Sequence, residues 1–203
     1  PKTQAALLQA MQELSVTVGV DTFSLEPPFF VLATQNPIEH EGTYPLPEAQ
    51  LDRFMLELRM TYPPREEERE VAAVTTTDTV QPIDPVIVGD RLLEFQGLVR
   101  RVPAPPSIVD YAVRLARSTR PGDDSAPAFI REMVAWGAGP RASQFLVLGA
   151  KARAALSGRP APSLEDVRAA APDVLRHRVV AGFEAEAAGR TPDDLVEELI
   201  AMV

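Results

Sequence analysis

Apolar residues at Leu7, Ala10, Met11 and Leu14 recur at i, i+3, i+4 and i+7. That spacing predicts a helix over residues 3–14 with Thr3 as its N-cap. The period then changes. Val16 and Val18 alternate with Thr17, Gly19 marks a turn, and Thr22 to Leu25 can return, which reads as a β-hairpin. Phe29 to Thr34 is a continuous apolar run ending in polar residues, the pattern of a parallel strand buried on both faces. Gln35 to Pro47 is rich in Pro, Gly and Glu and reads as a loop; Glu48 to Arg53 predicts a short helix. Phe54 to Tyr62 alternates as a further strand, stopped by Pro63-Pro64.

The later sequence has a different character. Arg65 to Val74 predicts a charged helix, and Thr75 to Pro85 has turn residues and no clear period, which puts a domain boundary near residue 80. Every periodic segment after it is helical. Ile108, Tyr111, Ala112 and Leu115 form one stripe; Phe129, Met133 and Trp136 form another. Pro140 suits a first helical turn, with Phe145, Leu146, Leu148, Ala152 and Leu156 lining the helix. Ser163 and Asp166 read as a capping box ahead of Val167, Ala170 and Ala171, and Pro172 predicts a break or restart. The layout is a small α/β piece followed by a helical bundle.

Two strands and a hairpin cannot bury both faces of a doubly wound sheet. The chain also opens on Pro1 with a helix starting almost at once. The expectation is that this is the later part of a longer protein, and that its isolated fold leaves apolar sheet surface exposed.

Composition narrows the function. Of 203 residues, 45% are apolar and 24% charged, as in ordinary globular proteins. No apolar run is long enough to cross a bilayer, and no basic-then-apolar signal opens the chain. The absence of Cys excludes disulfides and thiolate metal sites. A cytoplasmic location is expected. The net charge of -9 repels phosphate backbones, so no nucleic-acid partner is expected.

No nucleophile motif, no G-x-x-x-x-G-K-[ST] loop and no Gly-rich dinucleotide loop occurs. Three polar residues at element ends remain. Asn36 follows the predicted strand at Phe30 to Thr34, where its amide could orient a water in the crevice at a sheet edge, or simply turn the chain before Pro37. Arg53 lies between a short helix and a strand; it suits either the charge of phosphoryl transfer or a salt bridge to Asp52 or another acid. Arg141 follows Gly139-Pro140 at a helix start, against the helix dipole, which a bound anion would explain; the alternative is an exposed surface Arg. Glu39-His40-Glu41 is too compact to converge on one ion, and no metal site is expected.

These residues lie inside longer strings that resemble the MoxR-type AAA+ ATPases. Pro1-Lys2-Thr3-Gln4-Ala5-Ala6-Leu7-Leu8-Gln9-Ala10-Met11 is similar to the segment after their Walker B strand, and Phe30-Val31-Leu32-Ala33-Thr34-Gln35-Asn36-Pro37 to their sensor-1 strand. Glu41 to Phe54, ending in Leu51-Asp52-Arg53-Phe54, resembles their arginine-finger loop and helix. Gly137-Ala138-Gly139-Pro140-Arg141-Ala142 resembles their sensor-2 helix start, and His177-Arg178-Val179 with the acidic tail also fits.

The resemblance implies an α/β AAA+ core fragment over residues 1–79, with parallel-sheet strands and a pre-sensor-1 hairpin at Val16 to Leu25. An all-α helical lid domain over residues 80–203 follows. It implies Asn36 as sensor 1, Arg53 as an arginine finger acting in trans, and Arg141 as sensor 2 on the phosphates of ATP. It further implies Mg²⁺ ligated upstream of this chain and a homo-oligomeric, usually hexameric ring. Partners would include von Willebrand A domain proteins and client enzymes that are remodelled or matured. With the phosphate loop absent, the chain alone is expected not to hydrolyse ATP. Two rivals are a non-catalytic helical interaction module, which has no use for a cation at Arg141, and a chelatase-like or nucleic-acid AAA+ subunit, the latter opposed by the charge.

Overall fold

The structure is a computed structural model, and it describes residues 2–35, 46–78 and 84–203. Helix α1 (Lys2–Glu13) leads into the antiparallel hairpin β1 (Ser15–Val18) and β2 (Asp21–Ser24). Leu14 takes φ 50° at the helix-to-strand corner, and Gly19 takes φ 68° in the hairpin turn, a conformation glycine adopts without a Cβ penalty. The face that α1 buries carries Leu8 and Ala10, whereas Leu7 and Leu14 stay exposed.

Two expected strands form no ladder. Among the described residues the sheets are two separate two-stranded pairs, and neither Phe29 to Thr34 nor Phe54 to Tyr62 belongs to one. Apolar alternation makes a segment fit for a strand, but neighbouring strands hold it there. Phe30, Leu32 and Met60 accordingly remain 72%, 84% and 91% exposed. The stretch after Asp52 instead lies along the helical unit: the Glu57 amide donates to the Asp173 carbonyl at 2.9 Å.

Short helix α2 (Glu48–Leu51) and the charged α3 (Arg65–Thr75) bury no residue, and the expected boundary between residues 79 and 80 lies outside the described residues. Helices α4 (Gly89–Arg101), α5 (Pro106–Ser118), α6 (Ala128–Met133), α7 (Pro140–Leu156), α8 (Leu164–Leu175), α9 (Phe183–Ala187) and α10 (Pro192–Met202) follow. The buried core runs from Ile108 to Leu199. Helix α7 is its axis, with Ala142, Leu146 and Ala150 buried between α5 and α8. Small residues allow that close approach: a Cβ on Gly149 would sit 3.2 Å from the Ala170 side chain.

Three helical expectations change. Trp136 leaves the stripe of Phe129 and Met133, because α6 stops at Met133 and the chain extends as β3 (Val134–Trp136), paired with β4 (Val180–Ala181). Leu156 is 89% exposed at the end of α7. Pro172 does not break α8, which continues to Leu175 and tightens into a 3₁₀ turn at Arg176–Arg178. The capping box of Ser163 and Asp166 is present, and Arg159 grips Asp166 through both carboxylate oxygens at 2.7 and 2.6 Å.

Candidate functional site

The start of α7 is held by the end of α5. The Thr119 hydroxyl donates to the Ala116 carbonyl at 2.7 Å and accepts the Ala138 amide at 2.8 Å; Arg120 Nε donates to the Ala138 carbonyl at 2.8 Å. Gly137 is required here, since a Cβ would lie 2.2 Å from the Thr119 carbonyl oxygen. This pinned loop delivers Arg141 into the first turn of α7, with no acidic residue in that turn to offset it.

Arg141 Nη1 reaches Asp52 Oδ2 at 3.0 Å, joining α7 to the residue that caps the C-terminus of α2. The other oxygen of Asp52 accepts Arg178 Nε at 2.9 Å. The two arginines differ sharply in setting: the side chain of Arg141 is 41% exposed and that of Arg178 is 1% exposed. Arg178 also donates from Nη2 to the carbonyls of Asp52 at 2.8 Å and Phe54 at 2.6 Å, and from Nη1 to that of Val174. Its guanidinium lies 5.1 Å from the centre of the Phe145 ring, a cation–π distance.

His177 Nε2 sits 2.6 Å from Arg178 Nη1 and 3.1 Å from the Phe54 carbonyl. Arg178 Nη1 can only donate and the Phe54 carbonyl can only accept, so Nε2 accepts from the first in the tautomer protonated at Nδ1 and donates to the second in the tautomer protonated at Nε2. Burial, followed by the Arg178 charge, lowers the His177 pKa to about 4. Arg176 extends the seam, donating to the Glu57 carbonyl at 3.1 Å while Nε pairs with Asp193 at 2.8 Å.

Arg53 does not join this network. Asp52 spends its two oxygens on Arg141 and Arg178, and among the described residues Arg53 makes no ion pair. Its Nε and Nη1 are buried without a hydrogen-bond partner among the described residues. A buried donor without a partner costs on the order of 1–3 kcal/mol, and Gln50 Oε1 and His177 Nδ1 nearby in the fold share that state. Asn36 lies outside the described residues, as does Glu39-His40-Glu41. Among the described residues no group of three His, Cys, Asp or Glu could hold a metal ion, and no helix is long and apolar enough to cross a membrane.

The structure thus bonds Arg141 to Asp52, the residue before Arg53 in the chain, though 89 residues separate the two. Sequence reasoning missed the connecting pieces. Asp52 was legible only as a member of Leu51-Asp52-Arg53-Phe54. The signal for Arg178 was a cation between the apolar pairs Val174-Leu175 and Val179-Val180, since an Arg buried there must find acceptors.

Two family models match the chain: "ATPase family associated with various cellular activities (AAA)" over residues 1–56 and "AAA lid domain" over residues 128–199. It is 40% identical to Chaperone MoxR1 of Mycobacterium tuberculosis across 100% of this chain and 53% of the relative. It is 41% identical to the Bacillus subtilis protein YeaC across 100% of this chain and 61% of the relative. Protein MoxR of Methylorubrum extorquens is 35% identical over 88% of this chain and 55% of its own length. The crystal structure of a candidate ATPase from Cytophaga hutchinsonii superposes with a TM-score of 0.88 at 37% identity, covering 100% of this chain and 62% of that one. The chain therefore spans between 53% and 61% of these curated relatives.

Proposed function

This chain is a homologue of the MoxR-type AAA+ ATPases along its whole length, part of the AAA+ core followed by a helical lid, and we propose that it supplies the sensing and trans-acting half of an ATP hydrolase. The sequence holds no phosphate loop. Turnover therefore belongs to a polypeptide joining this chain to a phosphate-binding half, called the full-length ATPase below; the chain alone does not hydrolyse ATP.

The observation that carries this reading is the division of cations around Asp52. Arg141 and Arg178 both pair with its carboxylate, whereas Arg53 keeps Nε and Nη1 buried and without an acceptor among the described residues. A guanidinium held in readiness suits charge that appears only during phosphoryl transfer. Arg53 is the arginine finger, serving the nucleotide of a neighbouring subunit in a hexameric ring. Arg141, half-exposed at the start of α7, is sensor 2 and meets the phosphates of ATP in its own subunit. Asn36 is sensor 1 and orients the attacking water. ATP supplies the transferred phosphoryl group and, with Mg²⁺, its charge; no Mg²⁺ contact is assigned to the described residues.

The output is remodelling of other proteins, supported by the chaperone name of the Mycobacterium relative. Partners with von Willebrand A domains and client enzymes in the cytoplasm fit the family resemblance.

The test is steady-state hydrolysis by the full-length ATPase carrying Arg53→Ala. Turnover should fall by about 10³-fold, with nucleotide affinity and ring assembly kept. Normal turnover in an assembled ring would refute the finger assignment.

A further inference from the structure

We propose that Asp52 is a positioning residue that ties the lid to the Arg53 segment: Arg178 is its permanent partner and Arg141 a releasable one, for which phosphate competes. The inference rests on the sensor-2 reading of Arg141 and adds a residue to it.

The two bonds of one carboxylate differ in what would replace them. Arg178 has its side chain 1% exposed and donates to Asp52 Oδ1 and to the carbonyls of Asp52, Phe54 and Val174. Breaking it would strand a buried charge and several acceptors together, so this contact persists through any nucleotide cycle. Arg141 has a 41% exposed side chain and a single described partner at 3.0 Å. A half-exposed ion pair of that kind contributes little and exchanges readily. A phosphate, with more charge and several oxygens, outcompetes one carboxylate oxygen for the same guanidinium.

The geometry gives the exchange a consequence. Asp52 is the C-cap of α2 and the residue before Arg53, and the Arg53 amide donates back to the Gln50 carbonyl at 3.2 Å. Whatever holds Asp52 sets where Arg53 begins. With phosphate absent, α7 and the 3₁₀ turn at Arg176–Arg178 both grip that cap. With phosphate bound, only the 3₁₀ turn does. The occupancy of a subunit's own pocket is thereby read out one residue from the group that serves its neighbour.

The sign of the expected effect separates this from a structural role. In the full-length ATPase, Asp52→Asn frees Arg141 and should tighten binding of ADP about two- to five-fold, the range set by removing a weak competing ion pair. A purely structural Asp52 predicts unchanged or weaker binding, and either result would overturn the latch. In an Arg141→Ala background Asp52→Asn should change ADP affinity no further, the non-additivity of a shared contact. Arg141→Ala alone keeps the two readings distinguishable: if it leaves ADP affinity intact, the sensor-2 assignment fails by itself.

A second measurement uses the unsubstituted protein, in case Asp52→Asn folds poorly. Hydrogen exchange with and without ADP should show residues 137–143 gaining protection and the amide of Glu57, bonded to Asp173 at 2.9 Å, keeping its own. Loss of Glu57 protection on adding ADP would mean that the Arg178 side of the clamp opens, contrary to the proposal.

Discussion

Replacing Arg178 with Met keeps the length and apolar body of the side chain and removes every donor. The guanidinium lost makes a 2.9 Å bond to Asp52 Oδ1 and bonds of 2.8 and 2.6 Å to the carbonyls of Asp52 and Phe54. Removing one partner of a buried pair costs about 3–5 kcal/mol. Two features pull the expectation to the lower end. Asp52 keeps Arg141, so its charge is not stranded. Asp52 and Phe54 are themselves only half-buried residues. A cost of about 3 kcal/mol corresponds to roughly a 100-fold change in an equilibrium constant. That cost falls on docking of residues 52–57 against the lid, because the core from Ile108 to Leu199 is packed without them. The assay is native-state hydrogen exchange at the Glu57 amide, which reports local opening. Arg178→Met should speed it by about 100-fold while amides of α7 and α8 keep their protection. Arg178→Lys should fall between, since an ammonium can meet Asp52 but cannot fork onto the carbonyls. Glu57 exchange unchanged in Arg178→Met would refute the clamp.

Two further outcomes follow from the same seam. Gly137→Ala forces a Cβ to within 2.2 Å of the Thr119 carbonyl oxygen; the melting temperature should drop by roughly 5 °C or more, and an unchanged value would contradict the pinned loop. His177, with a folded pKa of about 4 against an ordinary 6.5, binds its proton more readily in the unfolded chain. Its contribution is full above pH ~6.5 and lost as pH falls toward ~4. His177→Gln should flatten the stability profile across that window, and parallel profiles would show that the ring is not held neutral.

The sequence carried α5, α7 and α8 well because each of these buries its own stripe, whereas α4, which buries no residue, carried no such signal. The face of α5 through Ile108, Tyr111, Ala112 and Leu115, and the capping box at Ser163 and Asp166, depend on near neighbours in the chain. The strands expected at Phe29 to Thr34 and Phe54 to Tyr62 depend on ladder partners, which local alternation cannot specify. Pro172 misled because it lies in the last turn of α8, where the helix is already tightening toward Arg176–Arg178. At the site, Arg53 and Arg141 stood out as cations at element ends. The carboxylate between Arg141 and Arg178 did not, since its contacts span 89 and 126 residues and no local period encodes them.

The central claim is that Arg53 acts across a subunit boundary. It is tested most directly by mixing two crippled forms of the full-length ATPase, one carrying Arg53→Ala and one lacking its phosphate-loop Lys. Each alone should be nearly inactive. Together they should recover a measurable part of the turnover, because some interfaces then pair an intact finger with an intact pocket. Mixed rings that form but stay as inactive as their parents would contradict the account.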